Sequence, residues 1–372
     1  MKISSLQENF KNGLLMVGHT AGKNVNLPIL NNVLVEAKDG KIKLVATNLE
    51  LAVSSVVRGK IEKDGSYTVD SKIIADYIGL LPNSKVDIEE TGGRLSIQCD
   101  NYKTKMNGQS AEDYPLIPEV KRDNFYKIGK EEFKKALSQV IFAAANSETR
   151  VELSGVLFSF SGSDLVLAAT DSYRLAEKKI KLEKENGTDE EKKFIVPVKT
   201  LQEVIRILSS AKDEAESIEL HFSENQVLFV YGDTEIISRL IEGNYPDYRQ
   251  IIPTAAKTTA LIESGELARG VKASALFSKT GVNDINLDLP KGQSRLIISS
   301  ASGQTGENIT EIQAEVKGED NGVVLNYRYL LDGLNNLDEA TVKIEIVDSN
   351  TPCILRPQKG KDYLYIIMPI KQ

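Results

Sequence analysis

The chain has 372 residues, 41% hydrophobic and 27% charged, with a net charge of −7. It is longer than the roughly 250–300 residues at which one hydrophobic core stops growing, so several domains are expected. The ordinary composition excludes a disordered chain or a long coiled coil, and the acidic total argues against a uniformly basic nucleic-acid-binding protein.

Chemically reactive residues are few. The only two histidines are His19 and His221, which leaves little material for a metal site or a Ser/His/Asp triad. Cys99 and Cys353 lie in apolar contexts without CxxC spacing, a pattern that favours reduced, buried thiols. No apolar run predicts a membrane helix and the N-terminus has no apolar signal core, so we expect a cytoplasmic protein.

The predicted elements begin with a helix over residues 6–22. A β-hairpin follows in residues 34–52 (LVEAKDGKIKLVATNLELA), with Asp39-Gly40 as its turn. A short amphipathic helix comes after Val69, and the Asp-Tyr-Pro segment at 113–115 closes the unit.

The same blocks recur twice in the same order. The second set has a helix over 130–145, the hairpin 157–176, a helix after Val196, and Asn-Tyr-Pro at 244–246. The third set has a helix over 264–279, the hairpin 286–300, a helix after Val324, and a Met-Pro-Ile terminus. We therefore predict an α+β protein of three tandem domains, each with two helices and about eight short strands. Their expected bounds are 1–125, 126–253 and 254–372.

Formal charge is unevenly distributed between helices and the rest of the chain. Summed over the six predicted helices it is positive, opposite in sign to the whole chain. If these helices line one concave surface, they would present a positive track to a phosphate backbone. Scattered lysines on solvated helix faces would explain the same pattern without any ligand. No aromatic residues alternate with these lysines, which favours duplex over single-stranded nucleic acid.

Four segments together resemble one known family. They are Leu27–Leu30 (LPIL), Ala169–Ala176 (ATDSYRLA), Tyr245–Arg249 (YPDYR) and Met368–Ile370 (MPI). The chain is similar over its whole length to the bacterial DNA polymerase III beta subunits, the sliding clamps. The resemblance implies three tandem DNA-clamp domains and a head-to-tail homodimer that forms a six-domain ring around duplex DNA. It also implies a processivity factor without catalytic activity, metal or cofactor.

The resemblance further implies a hydrophobic cleft between the second and third domains that binds partner peptides. The expected partners are the DNA polymerase III alpha subunit, the clamp-loader complex, and other polymerases and repair proteins that carry clamp-binding peptides. Matching by motif places these residues in the cleft: Leu153, Thr170, Ser172, Tyr173, Arg174, Leu175, Pro246, Gln250, Ile251, Asn326, Tyr329, Ile366, Met368, Pro369 and Ile370.

Two features of the cleft depart from the family pattern. Ser172-Tyr173 stands where the family often has Gly-His, and the larger tyrosine would narrow the cleft. The chain ends Met-Pro-Ile-Lys-Gln where the family often ends Met-Pro-Met-Arg-Leu, so peptide preference is expected to differ.

DNA contacts and ring contacts are expected elsewhere on the chain. The expected DNA-binding residues are Lys23, Asn24, Lys72, Ser147, Arg150, Lys199 and Arg206, and the expected dimer contacts are Leu276 and Phe277. Two alternatives stay open: an adaptor that uses the cleft without encircling DNA, and a hydrolase that uses clustered carboxylates.

Overall fold

The computed structural model describes residues 1–22, 26–122, 125–147, 149–182, 191–210 and 215–371. The chain forms two compact units. The first is built mainly from Met1–Lys134 and Lys199–Leu240, and the second mainly from Lys135–Lys181 and Ile241–Gln372. Among the described residues, no helix is both long and apolar enough to span a bilayer.

Six α-helices occur in the described residues, two in each sequence repeat. Their bounds are α1 Gln7–Val17, α2 Ser71–Leu80, α3 Lys130–Ile141, α4 Val198–Ser210, α5 Ser264–Ala275 and α6 Tyr327–Leu337. The first helix of each repeat ends earlier than predicted. After α1 and α3 the chain tightens into i→i+3 turns, such as Thr20 N–H to Val17 O and Ala144 N–H to Ile141 O. Such turns are frequent at helix ends, and hydrophobic periodicity does not distinguish them from a further α-turn.

The strands follow the repeats. The first repeat contains β1 Lys2–Leu6, β2 Asn32–Lys38, β3 Lys41–Thr47, β4 Leu51–Val57, β5 Gly59–Lys63, β6 Gly65–Asp70, β7 Lys85–Glu90, β8 Arg94–Cys99 and β9 Tyr102–Gln109. The second contains β10 Phe125–Gly129, β11 Gly155–Ser161, β12 Asp164–Thr170, β13 Arg174–Lys181, β14 Lys192–Pro197, β15 Ser217–Phe222, β16 Gln226–Tyr231 and β17 Thr234–Arg239.

The third repeat contains β18 Thr258–Glu263, β19 Asp284–Leu289, β20 Arg295–Ser302, β21 Gly306–Gln313, β22 Glu315–Gly318, β23 Asn321–Asn326, β24 Thr341–Ile346, β25 Cys353–Pro357 and β26 Tyr363–Ile367. Each repeat thus has two helices and eight or nine short strands. The predicted α+β class and element content are confirmed.

Sheets continue from one repeat into the next through equivalent strands. In a 13-stranded sheet, β4 of the first repeat pairs antiparallel with β17 of the second. In a 9-stranded sheet, β13 of the second repeat pairs antiparallel with β26 of the third. The remaining 4-stranded sheet has the order β21-β20-β19-β23, with β21 at its edge. Each junction joins the third strand of a repeated hairpin block to the last strand of the following repeat.

The apolar faces of these sheets are buried. In the second unit, one cluster includes Leu157, Leu175, Tyr248, Leu364 and Ile366, all at most 6% exposed. Both cysteines are free and buried, as predicted. Burial raises the pKa of the Cys353 thiol to about 12, so this cysteine is an unreactive apolar residue.

Candidate functional site

A tight turn between β12 and β13 projects the most exposed aromatic residue of the cleft. The Thr170 hydroxyl donates to Arg174 O at 2.6 Å and accepts from the Ser172 N–H at 3.1 Å. The Asp171 carboxylate accepts from the N–H groups of Tyr173 and Arg174 at 2.9 and 3.0 Å. These bonds hold Ser172 at φ 78° and leave Tyr173 64% exposed. Asp and Thr side chains favour such a turn because they satisfy its free backbone groups.

Arg174 is the centre of the polar contacts in this region. Its Nε donates to Asp171 at 3.1 Å, and its Nη1 donates to Asp332 of α6. Its guanidinium lies 4.7 Å from the ring centroid of Tyr329 and 5.6 Å from that of Phe142. A planar cation between two rings and two carboxylates is an arrangement that lysine cannot reproduce.

Tyr365 contacts the two aromatic residues that flank Arg174. It is fully buried, its hydroxyl donates to Tyr329 O at 2.8 Å, and its ring lies 5.4 Å from Phe142. Burial raises the pKa of Tyr365 far above its usual range, so the phenol stays neutral. Burial alone would lower the pKa of Arg174, but the neighbouring carboxylates of Asp332 and Asp171 outweigh it and raise that pKa. The cation is therefore permanently charged.

The C-terminal segment forms another wall. Leu175 of β13 is opposite Ile366 of β26 in the paired strands. Beyond β26 the Met368 N–H donates to Tyr173 O, and the Ile370 N–H donates to Val324 O, each at 2.8 Å. Met368 and Ile370 are half-buried. The backbone bonds thus hold partly exposed apolar side chains beside the exposed tyrosine.

The Tyr-Pro segment at 245–246 approaches the same turn. The Tyr245 hydroxyl accepts from the Thr170 N–H at 3.0 Å, and Tyr248 donates to the buried Glu177 at 2.6 Å. Burial raises the pKa of both tyrosines, which keeps them neutral. Beyond them, Gln250 donates to Asp247 at 2.9 Å.

The predicted cleft residues fall into three classes of exposure. The buried ones are Leu153, Thr170, Leu175 and Ile366; the half-buried ones are Arg174, Asn326, Tyr329, Met368, Pro369 and Ile370; the exposed ones are Ser172, Tyr173, Pro246, Gln250 and Ile251. Asn326 caps α6 by accepting from the Arg328 N–H at 2.9 Å. Phe142, Asp332 and Tyr365 also belong to the site, but sequence reasoning missed them. Asp332 lies three residues after Tyr329, so the helical spacing of α6 offered a signal for it.

Two of the predicted DNA-binding residues are exposed lysines at helix starts. Lys72 and Lys199 are each the second residue of their helix, and both side chains point to solvent. Ser147 accepts from the N–H groups of Thr149 and Arg150 at 3.3 Å, so its hydroxyl stabilises a turn. The predicted residues Lys23 and Asn24 lie outside the described residues.

Arg150 and Arg206 are already engaged within the chain. Arg150 donates to Ser172 at 2.8 Å. Arg206 donates to both carboxylate oxygens of Glu203, and also to the carbonyls of Leu15 and Met16 at 2.9 and 2.6 Å. Those carbonyls belong to the last turn of α1, where intrahelical donors are lacking. Arg206 thus joins α4 to the end of α1, and its predicted contact with DNA stays a prediction.

Glu203 is only 4% exposed and also accepts from His19, whose Nδ1 lies 2.8 Å from it. The other histidine, His221, is buried, and burial lowers its pKa, so it is neutral. Within the described parts of the chain, no group of three or more His, Cys, Asp or Glu residues could hold a metal ion.

The predicted dimer contacts lie where α5 ends. Leu276 is 73% exposed, and Phe277 is half-buried. The Phe277 ring packs beside Gly306 of β21, 3.9 Å from where a Cβ added to that glycine would lie. Sequence reasoning missed Ile309 of β21, which is 67% exposed. The alternation of exposed and half-buried residues along β21 is the pattern that could have identified it.

Three family profiles together match almost the whole chain. They describe the N-terminal domain of the DNA polymerase III beta subunit at residues 1–118, the central domain at 127–247, and the C-terminal domain at 249–371. A beta sliding clamp of Staphylococcus epidermidis is 30% identical over 355 residues, covering 93% of this chain and 92% of that protein. A beta sliding clamp of Staphylococcus aureus has the same identity and coverage.

Solved structures agree with these sequence matches. The DNA polymerase sliding clamp of Bacillus subtilis superposes with a TM-score of 0.93 at 25% identity, covering 100% of this chain and 99% of that one. The DNA polymerase III beta subunit of Thermotoga maritima gives a TM-score of 0.91 at 25% identity, with the same coverage.

Proposed function

Because the chain belongs to the family of DNA polymerase III beta subunits, the non-catalytic sliding clamps that serve as processivity factors, we propose that two copies close head to tail into a ring around duplex DNA. Such a clamp accelerates no reaction itself; it keeps a polymerase on its template by topology. We propose domain bounds of 1–125, 126–253 and 254–372. We also expect the protein to act in the cytoplasm.

The pattern of strand junctions supports ring closure. β4 pairs with β17 and β13 with β26, so each hairpin block joins the last strand of the following repeat. By the same rule, β21 of the third repeat would pair with β9 of a first repeat, which a second copy supplies. An interface between two different surfaces closes into a ring when its rotation allows.

Charge and exposure on the two strands are complementary. β21 carries Glu307 and Glu311, both exposed, whereas β9 carries the exposed Lys103 and Lys105. Ile309, between the two glutamates, is 67% exposed in the single chain. An exposed sheet edge with an apolar centre and charged flanks is suited to pairing with another strand.

Light scattering over a dilution series tests ring closure. The chain should have a molar mass near twice 41.0 kDa, and Ile309→Asp should shift it to the monomer. Leu6→Asp, at a 55% exposed position of β1, is the matched control and should leave the dimer intact, because β8 and β7 separate β1 from β9. A monomer at every concentration would overturn the ring and favour an adaptor that uses only the cleft.

Retention on DNA tests the topological mechanism. The loaded dimer should remain on closed circular DNA much longer than on linear DNA with free ends; equal lifetimes would contradict encirclement. Replacing Lys72 and Lys199 by alanine should also flatten the salt dependence of direct DNA binding, by up to about 2 in log–log slope.

We propose that the cleft binds extended peptides of the DNA polymerase III alpha subunit, the clamp loader, and other polymerases and repair proteins. The observation that supports this most is the placement of the partly exposed Tyr173 and Met368 beside the half-buried Arg174, with Ile370 in the same C-terminal segment. Apolar side chains that stay partly exposed beside a rigid polar centre suit one or two peptide anchors.

Fluorescence polarisation with a labelled peptide from the alpha subunit of the same organism tests the cleft. Met368→Ala/Pro369→Ala should weaken binding by about ten-fold, equivalent to ~1.4 kcal/mol, and leave the dimer intact. Leu6→Asp again serves as the control. Unchanged affinity in the double variant would mean that peptides bind elsewhere.

A further inference from the structure

The turn at Thr170–Arg174 has an equivalent in the first repeat, at residues 47–51. The Thr47 hydroxyl donates to Leu51 O at 2.9 Å and accepts from the Leu49 N–H at 3.0 Å. The Asn48 side chain accepts from the N–H groups of Glu50 and Leu51 at 3.1 and 2.8 Å. Each bond has its counterpart in Thr170–Arg174. Leu49 therefore occupies the place of Ser172, and Leu51 that of Arg174.

Leu49 is unusual for its position. Its φ is 77°, close to the 78° of Ser172, and its side chain is 48% exposed. The left-handed region of φ and ψ is unfavourable for a leucine backbone. The exposed part of its side chain also contributes no burial free energy to the fold. Backbone strain of this kind concentrates where a residue serves binding.

Leu49 borders a groove with a volume of about 460 Å³. Leu51, Ile237 and the Pro-Leu-Ile-Pro segment at 115–118 also line it. Leu116 in that segment is 97% exposed. The volume falls within the usual range for ligand sites, roughly 300–1,000 Å³. Contiguous exposed apolar residues of this kind mark interaction surfaces.

The groove differs from the cleft in its charge. Leu51 takes the place of the half-buried Arg174, so that cation has no counterpart here. Instead the exposed Arg239 lines the groove together with the exposed Glu50. The Arg239 N–H donates to Glu50 O at 3.1 Å, but the Arg239 side chain has no ion pair with Glu50 or any other described residue. An unpaired guanidinium at the rim of an apolar groove is complementary to a carboxylate.

We propose that this groove is a second docking site, for an extended peptide that carries two apolar side chains next to an acidic residue. The apolar side chains pack on Leu49 and Leu116, and the acidic residue pairs with Arg239. The inference rests on the proposed function in one respect: it takes the equivalent cleft as a peptide site.

Methyl NMR of the full-length dimer, labelled at leucine and methionine methyl groups, tests the proposal. The probe is the synthetic N-acetylated peptide Ser-Leu-Ser-Leu-Asp-Ser, compared with its counterpart in which lysine replaces aspartate. The aspartate peptide should shift the methyl resonances of Leu49 and Leu116, with about ten-fold weaker binding by the lysine peptide. Arg239→Gln should remove that difference between the two peptides.

Leu49→Gly is the decisive variant, because glycine accepts the same φ and removes only the side chain. It should weaken binding at Leu116 by about ten-fold without loss of thermal stability. Asp39→Gly, in another turn at φ 51°, is the matched control and should bind normally.

The groove and the cleft can fail separately. Shifts confined to Met368, or no shift at Leu49 and Leu116 at millimolar peptide, would overturn the groove site and leave the cleft untouched. Shifts at Leu49 and Leu116 that survive in Met368→Ala/Pro369→Ala would support the groove even if the cleft binds nothing.

Discussion

Replacement of Arg174 by methionine should destabilise α6 and the strands that carry the cleft. The side chain is 13% exposed, and its partner Asp171 is 17% exposed. A hydrogen-bonded ion pair of this kind contributes about 1.5–3 kcal/mol. Asp332 is 46% exposed, so solvent reduces its contribution to about 0.5 kcal/mol. Each of the two ring contacts adds about 0.5–1 kcal/mol. Allowing for the packing that methionine restores, the net loss is about 3 kcal/mol.

Hydrogen exchange monitored by mass spectrometry measures this loss locally, which suits a chain of several domains. A decrease of about 3 kcal/mol should accelerate exchange of the α6 amides about 100-fold. Arg328→Met is the matched control. Arg328 is an exposed residue of the same helix, and among the described residues its side chain has a ring contact and a hydrogen bond with Tyr327 only, so its loss should leave exchange unchanged.

The result that would refute this reasoning is exchange in Arg174→Met within about three-fold of the unmodified chain. A second test uses Asp332→Asn. Combined with Arg174→Met, it should cost less than the sum of the two single changes, because both remove the same ion pair. Strict additivity would show that the two side chains are not coupled.

Three further changes test other contacts. Arg206→Met should lower the unfolding midpoint in urea, because it leaves the buried Glu203 without the arginine cation at a cost of about 3 kcal/mol. Adding Glu203→Leu should restore most of the lost stability. No recovery in the double variant would argue against the pairing. Burial raises the pKa of Tyr114 to about 12, so its contribution to stability is complete below pH ~10 and is lost as pH rises toward 12; Tyr114→Phe should flatten the alkaline fall in thermal midpoint. Gly333→Ala should lower the free energy of unfolding by about 1–3 kcal/mol, since its Cβ would overlap the ring of the buried Tyr365. Gly79→Ala is the matched control, because open space surrounds that position. It should be neutral or stabilising by up to ~1 kcal/mol when both variants are compared by thermal unfolding.

Local chemistry in the sequence determined the repeated architecture. The 3.6-residue apolar period of residues 198–210 and the alternation that flanks Asp39-Gly40 depend only on near neighbours. Together with the threefold order of blocks, they predicted three α+β domains with the correct element content. Motif matching also identified segments that the fold brings together, such as the turn at 170–174 and the Met-Pro-Ile terminus.

Tertiary structure alone decided which charged groups are free and which are engaged. Arg206 reads in sequence as a basic residue on a helix, yet it bonds the carbonyl of Leu15, 191 residues away. Arg174 finds Asp332 at a separation of 158 residues. Such pairs are set by the packing of whole sheets and helices, and no local period encodes them. The same holds for the groove beside Leu49: its turn is local, but the apolar surface around it exists only because the second repeat packs against the first.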